Sequence, residues 1–132
     1  MKPLNIKNIQ MQDTVFDPAG NQNDIINYYK IPDKPSTLYK VWIFLEGQDI
    51  YYVDWVEYEL HETFKDRFRT VERSISNPNC SLVIWTWGVF NIKAKIYLKS
   101  GDLIYAEHYL TYDRYLKRKN VKFKKNTSGR LF

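Results

Sequence analysis

Few side chains in this sequence are equipped for chemistry, and their types argue for recognition rather than reaction. There are two histidines, His61 and His108, and one cysteine, Cys80. A lone cysteine forms no intrachain disulfide and builds no cysteine zinc cage. No HExxH, GxSxG or glycine-rich phosphate loop occurs, and the carboxylates do not cluster as a metal set or a glycosidase pair. No cofactor is implied, and catalysis is not the expected role. Aromatic rings, in contrast, are abundant: eleven Tyr, seven Phe and four Trp. They favour strands and supply rigid contact surface. Two runs set rings beside polar groups, Leu60-His61-Glu62-Thr63-Phe64 and Trp85-Thr86-Trp87-Gly88-Val89-Phe90.

The elements that must carry these runs read as strands. Val41, Ile43 and Leu45 alternate with Lys40, Trp42 and Phe44, and Gly47-Gln48-Asp49 reads as a turn. In the next strand Val56, Tyr58 and Leu60 face inward while Trp55, Glu57 and Glu59 face outward, so the first run sits at its end. Residues 65–80 are charged and irregular and read as a long connection. Residues 82–84 form a short apolar strand that leads into the second run. Phe90, Ile92, Ala94, Ile96 and Leu98 then share one face of the clearest strand, opposite Asn91, Lys93, Lys95 and Tyr97. Lys99-Ser100-Gly101-Asp102 is a hairpin turn, and residues 103–110 return antiparallel. His108, in register with Ile104, Ala106 and Leu110, reads as a core-edge histidine. Upstream, Ile6, Ile9, Val15 and Phe16 suit a short edge strand, and residues 25–29 a second. Short strands broken by such turns suggest an all-β sandwich, and no useful helical period appears before residue 112.

Charge divides the chain. Residues 1–113 hold twelve Lys/Arg against all fifteen Asp/Glu, whereas residues 114–132 hold eight basic residues and no acidic one. The expected organisation is one domain over 1–113, with its core at 39–112, followed by a basic C-terminal tail at 114–132. Within the tail, residues 112–123 suit a short basic helix or a frayed strand, and 124–132 a flexible end. Arg114, Lys117, Arg118, Lys119, Lys122, Lys124 and Lys125, interleaved with Tyr115 and Phe123, form a run able to neutralise phosphates while rings stack on bases. A solvated segment that aids solubility is the plainer alternative. The first residues lack the apolar run of a signal peptide, and no stretch reaches the roughly 20 apolar residues that span a bilayer. A soluble cytoplasmic protein without a membrane partner is expected.

In order and spacing, the two runs resemble the YEATS domain, and more closely its prokaryotic members. Leu60-His61-Glu62-Thr63-Phe64 is similar to the family's L-H-x-S/T-F motif. Thr86-Trp87-Gly88-Val89-Phe90, with the amphipathic strand after it, is similar to its G-W/Y-G/A-x-F segment. Residues 39–45 resemble the family's early strand, so the likeness covers about residues 39–112. The resemblance implies an immunoglobulin-like sandwich of about seven or eight antiparallel strands, with both motifs on loops. It also implies a binding module that reads acylated lysine or a related modified peptide. Phe64 and Trp87 would sandwich the flat acyl-amide, His61 and Thr63 would line the channel, and Thr86, Trp87 and Gly88 would add polar contacts. Thr86 stands where eukaryotic members carry Gly, the connection between the motifs is longer, and Trp85 adds a second indole as a pocket neighbour. Other readings of the same residues stay open. His61 at a strand end suits a bond to a nearby loop backbone, and Phe64 suits a cap on the core. Tyr28, Tyr29, Tyr51 and Tyr52 suit a protein-docking patch on a scaffold domain that has no small-ligand pocket.

Overall fold

In the computed structural model, residues 8–20 and 24–126 are described. They form nine strands, two short 3-10 turns and no α-helix. The strands divide into two sheets, and the chain clusters into two compact units.

The first unit comprises residues 1–12, 44–81 and 91–109. Its sheet is built from β4 (Val53–Glu59), β5 (Phe68–Glu72), β7 (Asn91–Leu98) and β8 (Leu103–Tyr109) in the order β5-β4-β7-β8, with every neighbour antiparallel. Period-two patterning fixes the register, since a one-residue slip would expose a whole apolar face. Val56, Tyr58, Ile92, Ala94, Ile96 and Leu98 are buried, as their alternation requires, while Lys93 and Lys95 are exposed. Each large apolar side chain buried here contributes about 1.5–3 kcal/mol. Like charges avoid one another across the strands, because Glu57 faces Lys95, and Lys93 lies between Glu59 and Glu107. Gly101 takes φ +94° in the β7–β8 hairpin, a backbone region that L side chains rarely adopt.

Two expectations are corrected in this unit. The stretch 65–80 contains β5, which pairs with β4 from Trp55–Glu72 to Glu59–Phe68. It is held by backbone bonds, and its residues alternate only between exposed and half-buried, so it left no apolar signature. Phe90 precedes β7 and is half-buried, outside the fully buried row.

After β5, Asn77 accepts from the Ser81 N–H and donates to the Ser81 carbonyl, and Asn79 Nδ2 donates to the Leu45 carbonyl. Cys80 sits between them at φ +50°, unusual for a residue with a Cβ. Its carbonyl accepts the buried Tyr58 hydroxyl at 2.7 Å.

The second unit comprises residues 13–43, 82–90 and 110–132. Its sheet runs β1 (Gln10–Thr14), β3 (Thr37–Glu46), β2 (Ile25–Lys30), β9 (Lys122–Lys125), with β6 (Leu82–Thr86) also on β3. β2 and β6 pair antiparallel with β3, whereas β9 runs parallel to β2. Val41, Ile43 and Ile84 are buried on one face. The edge strand expected on Ile9, Val15 and Phe16 forms instead between them, as β1; Ile9 precedes it, and Val15 and Phe16, both buried, follow it. Ile6 lies outside the described residues.

The basic segment is the main departure from expectation. Residues Tyr112–Lys117 form a 3-10 turn, and β9 is a strand of the sheet, so 112–125 does not hang free. Tyr115 packs edge-on against Phe16 with centroids 5.3 Å apart. Residues 127–132, with Arg130, lie outside the described residues.

Burial raises the pKa of the Tyr58 phenol, with the Cys80 thiol adding to the effect, and raises that of Tyr112. It pushes Cys80 from 9.0 to about 11, with Arg73 opposing. Each raised group keeps its proton in the native state after the unfolded chain has lost it, so the stability it lends is complete below the unfolded pKa. For Cys80, stability is therefore intact below about pH 9 and falls as pH climbs toward about 11. Denaturant midpoints measured across that window should decline. The Tyr58→Phe variant should lose about 1–3 kcal/mol, the cost of an unpaired buried carbonyl.

Candidate functional site

The sequence places its candidate residues on two loops, one in each unit. In the first unit, the Leu60 N–H donates to the Arg67 carbonyl at 2.7 Å and closes the β4–β5 loop. Inside it, the Phe64 N–H donates to the His61 carbonyl at 3.0 Å, a tight turn that brings 61–64 together. The Thr63 N–H donates to His61 Nδ1 at 3.2 Å, and Thr63 Oγ1 lies 2.9 Å from the same nitrogen. A backbone N–H can only donate, so Nδ1 is the acceptor and the ring proton is assigned to Nε2. The Thr63 hydroxyl then donates its proton to Nδ1, which leaves the lone pairs of Oγ1 to accept a further N–H. His61 and Thr63 are exposed and Phe64 is half-buried. His61 thus orders its own loop, and Thr63 presents an acceptor.

In the second unit, β6 ends at Thr86, which is 5% exposed. Its hydroxyl donates to the Gly88 carbonyl at 3.0 Å and accepts the Gly88 N–H at 3.3 Å. The hydroxyl of the buried Tyr112 also donates to the Gly88 carbonyl, at 3.0 Å. The residue at 86 therefore shapes the turn through its hydroxyl, where a glycine would act through backbone freedom. Gly88 has space around it, since a Cβ there would meet no atom within 4 Å. Between these fixed points Trp87 is 68% exposed. Trp85 pairs with Lys40 in the β3–β6 ladder and, by alternation, lies on the opposite face of the sheet from Thr86.

Two contributors escaped the sequence reading. Tyr112 looked like part of a basic run but is buried and bonds to Gly88. Asp13, 5% exposed, accepts from the Thr111 N–H at 3.0 and 3.1 Å and from the Thr111 hydroxyl at 2.9 Å. Neither carries a local sequence signal, since Asp13 stands between Gln12 and Thr14 and Tyr112 between Thr111 and Asp113. His108 is half-buried on β8 beside Ile92, as its register implied. Among the described residues no group of three or more His, Cys, Asp or Glu is arranged to hold a metal ion. Nor is any described helix long and apolar enough to cross a membrane.

Solved structures place this architecture. The Yaf9 YEATS domain recognising an H3K122suc peptide matches with TM-score 0.54 and 21% identity, over 85% of this chain and 77% of that one. The yeast AF-9 homolog protein Yaf9 matches with TM-score 0.52 and 22% identity, over 80% and 67%. The two sheets thus define an all-β, immunoglobulin-like β-sandwich. The prokaryotic YEATS domain family matches residues 39–111, more than half of the chain, and the chain belongs to that family. Both loops fall within the matched span. No curated protein matches the sequence.

The two glycines whose surroundings differ most make a direct check. Gly88→Ala should shift the denaturant midpoint by no more than about 0.5 kcal/mol equivalent, as at an open surface site. Gly47, at φ +133°, would drive a Cβ into the Asn8 carbonyl oxygen, so Gly47→Ala should be strongly destabilising.

Proposed function

We propose that this chain is a binding module that reads acylated lysine, or a closely related modified peptide, with Phe64 and Trp87 as its ring surfaces. The observation that carries the reading is Trp87 itself, a large indole held in solvent on a turn fixed by two hydroxyl groups. Such a ring contributes little to folding and is pre-organised to meet a flat, uncharged group. Acylation converts a charged amine into a planar amide, which gains dispersion against ring faces at roughly 0.5–1.5 kcal/mol per well-placed partner. The amide must keep its hydrogen bonds when desolvated. The acceptor on Thr63, oriented by His61, suits its N–H, and the backbone around Thr86, Trp87 and Gly88 offers further polar groups. An unmodified lysine would bring an unpaired charge against the same rings at a cost. Family membership, and a solved protein of the same fold that recognises an H3K122suc peptide, agree with this ligand class.

A second reading rests on a separate observation. Tyr51 and Tyr52 are exposed, with ring centroids 5.8 Å apart and Lys99 4.0 Å above Tyr51, a ready patch for docking a protein without any small-ligand site.

NMR titration with acetyl-, crotonyl- and succinyl-lysine peptides, against the unmodified peptide, separates the two. We expect saturable shifts at the Trp87 indole with at least one acyl peptide, at dissociation constants on the order of 10–1000 µM. Trp87→Ala and Phe64→Ala should each weaken binding about tenfold or more while the spectrum stays folded. No shift at Trp87 with any acyl peptide would remove the acyl-lysine reading. A protein partner that survives the loss of both rings but is lost in Tyr51→Ala would establish the second.

A further inference from the structure

The second unit carries eleven Lys and Arg against five Asp and Glu, whereas the first carries nine against ten. The excess comes from residues 114–132, and β9 puts part of it into the sheet. On β3 Val41 and Ile43 are buried on one face, and Lys40 stands on the other, beside the buried Leu38 and Trp42, with its ammonium 5.1 Å from the Trp42 ring centroid. The register extends this assignment. Lys40 is paired with Trp85, Tyr29 lies beside Leu38 on the same side as Lys40, and Asn27 and Lys124 are partners one step along β2 and β9. Lys122, two residues before Lys124, shares its side. The face of Lys40 thus presents Lys122, Lys124, Asn27, Tyr29, Lys40 and Trp85. The first two are exposed and the others half-buried. β2, β6, β9 and residues 37–43 of β3 contain no carboxylate, so every formal charge on this face is positive.

We infer that this face binds single-stranded nucleic acid. Lysines set about two strand spacings apart, roughly 9.5 Å from Lys124 to Lys40, can hold a phosphate backbone, while Tyr29 and Trp85 between and beside them offer ring faces for unpaired bases. Asn27 adds a donor and an acceptor in the same row. An acidic peptide would use the charges but not the rings. A duplex would present grooves that a strand-flat face does not enter. The residues of this face include neither Phe64 nor Trp87.

The test is fluorescence anisotropy of the full chain with a labelled oligothymidylate of about 12 nucleotides. With three lysines each neutralising one phosphate, affinity should fall about 20-fold between roughly 50 and 200 mM salt. The double variant Lys122→Glu with Lys124→Glu should weaken binding at least tenfold at the lower salt, and Lys40→Gln a few-fold. Trp85→Phe should retain binding better than Trp85→Ala, with circular dichroism confirming that both fold. The same charge change on the first sheet, Lys93→Glu with Lys95→Glu, should leave binding intact. The inference is overturned by no binding at low salt, or by an equal loss in the Lys93 and Lys95 variant. Oligoglutamate or anionic vesicles that compete as well as unlabelled oligonucleotide would also overturn it.

Discussion

A carboxyl group as deeply buried as Asp13 must have its oxygens filled from within the protein, and Thr111 supplies three of the bonds. Much of the second unit follows from that constraint. Asp13 lies at the end of β1, so Thr111, where the chain leaves β8, is anchored there. The next residue, Tyr112, is thereby fixed and buried, and its hydroxyl reaches the Gly88 carbonyl. The Leu110 N–H donates to the Phe90 carbonyl at 3.1 Å and holds the other side of the same loop. One buried acid therefore sets the position of the turn that displays Trp87, through a chain of hydrogen bonds rather than through packing of the indole.

The two units use one device. In each, a buried tyrosine donates its hydroxyl to the carbonyl of a residue in an irregular segment, Tyr58 to Cys80 in the first and Tyr112 to Gly88 in the second. Irregular backbone carries polar groups that no ladder satisfies, and burying them unpaired would cost more than most single contacts return. A phenol brings apolar area and one donor together, so it can sit in a core and still serve a loop. This accounts for part of the chain's heavy use of tyrosine without invoking a ligand.

Legibility in the sequence followed burial. β7 was plain because Ile92, Ala94, Ile96 and Leu98 are buried at every second position, and β4 for the same reason. β5 and β9 were not, because neither has a buried residue and neither follows a legible hairpin turn, as β8, equally without a buried residue, does. Backbone pairing holds them at sheet edges, and such pairing leaves no mark on side-chain type. In β9 the lysines that suggested a solvated tail are also the residues that keep an exposed edge from pairing with other chains. The candidate loops were legible through the spacing of His61, Thr63, Phe64, Trp87 and Gly88. Asp13 and Tyr112, which hold the second loop, were not, because their contacts span 98 and 24 residues of sequence. Local pattern carries no record of such distances.

Separating what folds the loop from what it displays has a physical consequence. The stability of the turn at residues 86–88 resides in Thr86, Gly88 and Tyr112, whose bonds are formed whether or not a ligand is present. These bonds are made by groups other than the Trp87 indole, which remains largely in water. On the proposed function, the backbone that carries it is ordered before any encounter, and less backbone entropy would be lost on binding than in a loop that orders around its ligand. The Thr63 acceptor is prepared in a comparable way, since His61 takes both the hydroxyl proton and the backbone N–H of that residue. If the proposed function holds, side chains at the two displayed positions would change ligand preference with little effect on the fold. Changes at Thr86, Tyr112 or Asp13 would alter the loop first and recognition only as a result.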